Sequence, residues 1–354
     1  MSAFKAFVAA LLLFAGAAAA QDSTASSYKI VSRIAGPDGG WDLLDVDSVR
    51  GRLYVARTGG VMAVDLATST VTADLVKGSQ GHGALVIPGT SQVIATNGAN
   101  GTAVIFEGAT GQIIATLTVG TKPDAIAFDP ATKTIWVMNP GSGDISVIDP
   151  VAAKVIDTVA VEGSLELAAA DGEGRLYVNV EDKNDVAVID TRSRKLIERF
   201  ALAGCDGPTG VAYAPDAKLI LSACKNGVAK IMAADGHEVA RLAVGARPDG
   251  ALYDVNRHLA FVPSGGDGTL SIISLSPSPK VVGVVATAKG ARTAALDTST
   301  GRIYLPSAQF ALPAGNTRPS VIPGSFEILV VAPVANLHRV ESGAIDPISS
   351  VIGQ

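Results

Sequence analysis

Aromatic residues are scarce in this chain, at 5% of the sequence, so its core has to be built from Val, Ile, Leu and Ala. The β-branched members of that set pack well on a pleated surface and point to strands. Cysteine is nearly missing, with Cys205 and Cys224 the only two. There is no long basic run, and the formal charge is −5, which argues against a general nucleic-acid-binding face. No segment after the first twenty residues carries a helical period. Catalytic grammar is missing too: there is no G-x-x-x-x-G-K, H-E-x-x-H, C-x-x-C or G-x-S-x-G. Ser222-Ala-Cys-Lys225 matches S-x-x-K in letters, but it straddles a strand end where that motif needs a helix. Trp41-Asp42 is a single pair and not a repeated signature.

What is present begins with a leader. Lys5 precedes an apolar run from Ala6 to Phe14, and Ala18-Ala19-Ala20 fits a cleavage site before Gln21. The run is short for a bilayer span, and no cysteine near the cleavage point could carry a lipid. Residues 1–20 therefore read as a signal peptide and 21–27 as a polar, disordered leader. The expected location is the periplasm or the exterior, without a membrane anchor. Loss of Lys5 would make the formal charge one unit more negative. An oxidising compartment, with only two cysteines to pair, predicts a Cys205–Cys224 disulfide. The hairpin register leaves the two about three residues out of alignment, so the loop Asp206-Gly207-Pro208 has to fold back.

The rest of the chain repeats. Apolar triplets centred on Tyr54, Ile94, Trp136, Tyr177, Ile220, Ala260 and Tyr304 recur every 40 to 44 residues or so, the period of propeller blades. The third repeat is clearest: Asp124–Phe128, "TIWVM", "ISVID" and "VIDTVAV" are short strands joined by turns rich in Asp, Pro and Gly. The expectation is an all-β, seven-bladed β-propeller over residues 28–332, with four antiparallel strands per blade and a tail from 333 to 354. The segment Tyr28–Gly36 resembles a fourth strand, and Phe326–Ala332 is a third strand without a successor. The N-terminal strand should therefore close the last blade.

"WVMN" (Trp136–Asn139) and "IATN" (Ile94–Asn97) resemble the signature of the YVTN-repeat β-propellers. "GTKPDAIAFDP" and "GARPDGALYDV" look like that family's Gly-x-x-Pro link, and "RPSVIPGSFEILVV" is similar to the closing segment of YncE-like periplasmic members. The resemblance covers nearly all of the chain after the leader. It implies a seven-bladed exported propeller and little about activity, because the repeat motif is structural. "KIMAAD" and "VIFEG" depart from the pattern in the fifth and second repeats.

Aligning the repeats on the residue that opens each innermost strand selects Asp42, His82, Asp124, Glu166, Thr209, Asp249 and Arg292. All are polar, and together they should surround one mouth of the central channel. Such a rim is either a solvated edge or a binding site for a cation or amine. His237, His258 and His338 fall in turns or the tail and read as solvated. One loop is long: Pro306–Ser325 in blade seven, with Phe310, Leu312 and Arg318, is expected on the same face as the polar rim. Two functions compete. One is a monomeric binding or scaffold module for an unknown protein or small molecule, with no cofactor expected. The other is a hydrolase or lactonase using a divalent cation such as calcium. Metal-dependent propeller lactonases are similar in general design, though usually six-bladed. An electron-transfer role finds no haem or quinone motif.

Overall fold

Turn formers cut the β-branched runs into strands of three to eight residues, and these assemble into seven separate four-stranded antiparallel sheets. The chain forms a seven-bladed β-propeller. The computed structural model describes residues 28–311 and 320–334. The leader, Leu312, Arg318, His338 and all but the first two residues of the tail lie outside the described residues. Among the described residues the only helical piece is one 3₁₀ turn, Glu181–Lys183, and no helix is long and apolar enough to cross a membrane.

Six blades take their strands consecutively. The seventh is composite: Ala295–Asp297, Arg302–Ser307 and Glu327–Pro333 are completed by Tyr28–Ala35, which pairs antiparallel with Glu327–Pro333. The third strand runs one residue beyond the expected Ala332, and Tyr28–Ala35 closes the blade. Its ring contacts also staple the neighbouring blade, with Tyr28 edge-on to Phe261 of blade six at 5.1 Å. The connection onward to blade one is held by Arg57, whose guanidinium lies 4.0 Å over Phe326 and donates to the carbonyls of Pro37, Gly39 and Gly40.

The core is distributed. Seven apolar clusters each join two neighbouring sheets, one per interface. Trp136, with no exposed surface, packs blade three against blade four, and Tyr54 meets Phe106 between blades one and two. A single blade could not cover both of its faces, and the ring supplies the missing partner. Polar side chains near the ends of the second strands act in the same way, among them Asn97 of the repeat signature. Asn179 donates to the carbonyls of Thr209 and Gly210 in the next blade, and Asn97 accepts from the Ser79 amide in the link before its own blade. That motif builds the ring and not a site.

Turns between the second and third strands lie at the upper end of the ring, together with the blade-to-blade links. The other turns lie at the lower end. Cys205 and Cys224 are joined by a disulfide with a Cα–Cα distance of 5.4 Å. Pro208 pairs with Cys224 across the hairpin, and the Cys205 amide bonds back to the Leu202 carbonyl, which gives the folded-back loop that the offset requires.

Candidate functional site at the channel mouth

The innermost strands do not pair regularly at their upper ends. The ladder slips between Trp41 and Leu44, Gly81 and Ala84, Leu165 and Ala168, and Pro208 and Val211. Asp42, His82, Glu166 and Thr209 fall in these irregularities, which re-aim side chains away from the sheet. Asp124, Asp249 and Arg292 stand shortly before the innermost strands of their blades, which begin at Ile126, Leu252 and Ala295. Neighbouring blades pin the backbone there: Thr96 donates to the Asp124 carbonyl at 2.8 Å, and Thr293 to the Asp42 carbonyl at 2.9 Å.

Six of the seven aligned residues converge on one concavity of about 480 Å³. Arg292 bridges two acids, with Nε 2.6 Å from Asp249 and Nη2 3.5 Å from Asp42. His82 Nδ1 is 2.8 Å from Asp42 and 4.0 Å from Asp124. Asp42, His82 and Asp124 each offer one ligating atom, all within 4.8 Å of one another. Thr209 is the exception. It is fully buried and its hydroxyl donates to the Pro248 carbonyl at 3.1 Å, so it holds two blades together.

Sequence reasoning missed Lys225 and Arg247, which also line the mouth. They come from other positions in the repeat: Lys225 from a second-to-third-strand turn, and Arg247 from a link where it takes a left-handed φ of 52°. The corresponding link residues Gln80 and Lys122 share that conformation, a signal readable only once the links are aligned. The mouth is therefore of mixed charge, where the aligned residues alone suggested an acidic one.

Titration divides its acids. Burial, followed by the charge of Asp42, raises the Asp124 pKa well above the carboxylate range, with His82 and Arg292 opposing. Burial also raises Asp249, against Arg292. Glu166 is raised furthest, by burial and by a hydrogen bond to Glu181, whose own pKa falls. Glu166 and Glu181 share a hydrogen bond, and Glu181 is also paired with Lys225. The hydrogen bond to Asp42, then the charges of Asp124 and Asp42, raise His82 in spite of burial.

The described ends of the blade-seven loop, residues 308–311 and 320–325, stand at the same upper end. Phe310 lies 6.3 Å from the Trp41 ring, beside the mouth. His237 and His258 are exposed and sit on Asp235 and Asp216, away from it.

No protein-family model matches the chain, and a search of curated proteins finds no match. Among solved structures it is similar to Kuenenia stuttgartiensis hydrazine synthase, at 18% identity and a TM-score of 0.66 over 80% of this chain and 95% of that one. It is also similar to a chain of a mitotic checkpoint complex, at 16% identity and a TM-score of 0.71 over 94% and 98%. At such identities the shared property is the fold.

Proposed function

We propose that the protein is an exported binding module of the YVTN-repeat type that takes a cation-bearing ligand at the channel mouth. The observation that carries this reading is the convergence of Asp42 and Asp124 on His82. Two carboxylates from different blades flank one imidazole and raise its pKa. A ligand ammonium or guanidinium would take the place of the imidazolium between them. Fixed acids in a concavity attract such groups more strongly than acids on an open rim. The leader and the disulfide support export, and the repeat signature supports the family assignment.

Phenylethylamine is a suitable probe for calorimetry. The expected result is saturable binding that strengthens as pH rises, because His82 then loses its proton while Asp124 loses its own and becomes an anion. Affinity that is flat with pH and unchanged in Asp42→Asn/Asp124→Asn would overturn the reading.

The same triad supports a second one. Two carboxylates and an imidazole form a three-ligand set of the sort that leaves coordination positions open for water or substrate, which suits a cation-dependent hydrolase. Zinc, manganese and calcium titrations followed by lactone hydrolysis assays test it. The His82→Ala variant should lose the metal, and with it any hydrolysis.

A further inference from the structure

A second cavity of about 980 Å³ opens beside the mouth, between the upper turns of blades six and seven. It shares Arg247 and Arg292 with the mouth and adds Lys289. Among the described residues no carboxylate lines it. Among the described residues Arg247 and Lys289 form no ion pair or side-chain hydrogen bond. Arg292 is already engaged by Asp249 and Asp42. Two of the three cations are thus without a counter-charge in a concave place, beside a mouth whose acids are all otherwise directed. Apart from Gln309, the remaining side chains of the wall are apolar: Ala288, Ala308 and the half-exposed ring of Phe310, packed at Gly290.

We propose that this annex binds an organic carboxylate, with the anionic group on Arg247 and Lys289 and the hydrocarbon body against Phe310. A carboxylate fits better than a phosphate for a stated reason. Phosphate sites rely on clustered backbone amides, and here the glycine amides are occupied: Gly265 donates to Arg247, Gly266 to Ala246 and Gly290 to Gly265. Recognition is left to side chains, and a guanidinium fork matches the two oxygens of a carboxylate. The apolar wall excludes a small inorganic anion as the natural occupant, since it would leave Phe310 uncovered. This inference does not depend on the cationic reading of the mouth.

The probe is phenylpropionate, with phenylethylamine as its cationic counterpart. Tryptophan fluorescence is a local reporter, because Trp41 adjoins Phe310 whereas Trp136 is buried between blades three and four. Phenylpropionate should change the emission saturably, and added salt should weaken it, as expected for exposed cations. Lys289→Gln and Arg247→Gln should each weaken it about tenfold. Lys289→Gln should leave phenylethylamine binding intact, since Lys289 does not line the mouth. Failure of phenylethylamine alone would count against the mouth and not the annex. Absence of saturable phenylpropionate binding at millimolar concentration, or equal binding by the parent and Arg247→Gln/Lys289→Gln, would overturn the proposal.

Discussion

The innermost segments of blades one, three and six each place an aspartate toward both ends of the ring, and the two sets live in opposite surroundings. At the lower end Asp47 accepts from the amides of Val49 and Arg50 and pairs with the Arg50 guanidinium. Asp129 holds the amides of Ala131 and Thr132, and Asp254 those of Asn256 and Arg257. Each of these carboxylates closes a turn. At the upper end Asp42, Asp124 and Asp249 face one another across the channel, with His82 and Arg292 between them. The same residue type at the two ends of one strand is structural where local donors saturate it. It is available for a ligand where its neighbours are other acids. Burial of an acid does not by itself mark function; the supply of donors decides.

The sharpest way to break this contrast is at the lower end. Asp254→Ala strands two turn amides and the Arg257 guanidinium, and should cost about 2–4 kcal/mol in chemical denaturation. Next in size, Asp42→Asn/Asp124→Asn/Asp249→Asn should lower phenylethylamine affinity about tenfold or more while leaving the denaturation midpoint nearly unchanged. A triple variant that unfolds as readily as Asp254→Ala would erase the distinction between the ends. Thr209→Val is a smaller test. It occupies the upper register yet behaves as a structural clip, so it should cost about 1 kcal/mol and leave ligand affinity alone.

The last effect expected is one of slope with pH. Burial works to raise the Asp297 pKa, but hydrogen bonds from Ser299, Ser48 and Thr300 outweigh it and bring it down to about 2. Its contribution is present above the ordinary carboxylate pKa and is lost as pH falls toward 2. Asp124 is raised, so its contribution is present in acid and is lost as pH rises out of the carboxylate range. Melting curves of Asp297→Asn should therefore diverge from the parent on the alkaline side of about 4 and converge in strong acid. Those of Asp124→Asn should gain on the parent as pH climbs toward neutrality. Parallel profiles for both variants would remove the electrostatic basis of the comparison.

Much of the ring was legible because a repeat states the same local rule seven times. The strand order and the composite last blade follow from aligning short segments, and the Cys205–Cys224 pair from there being only two cysteines in a chain read as exported. Matched positions also brought Asp42, His82, Asp124, Glu166, Asp249 and Arg292 to one mouth. Thr209 failed as a site residue because the same register can point inward or bond across a blade interface, and a short hydroxyl side chain finds the Pro248 carbonyl. Lys225 and Arg247 escaped notice because they reach the mouth from turn and link positions, where side-chain direction depends on φ and not on strand alternation. The Glu166–Glu181 hydrogen bond was hidden as well, since Glu181 comes from the 3₁₀ turn that follows the second strand of blade four.

The composite blade has a consequence in time. Synthesis delivers Tyr28–Ala35 before any other strand of the ring and Glu327–Pro333 after every other strand. Arg33 and Glu327, which meet across that seam, are 294 residues apart. The first-made strand has no sheet to join until the last has appeared, and a search over so long a separation is slow compared with hairpin formation inside a blade. Six blades can assemble as they emerge, but the seventh waits, with an open edge on either side of the gap. A product that stops short of Glu327 never meets its own beginning, so closure of the circle reports that synthesis has passed the last strand of the ring.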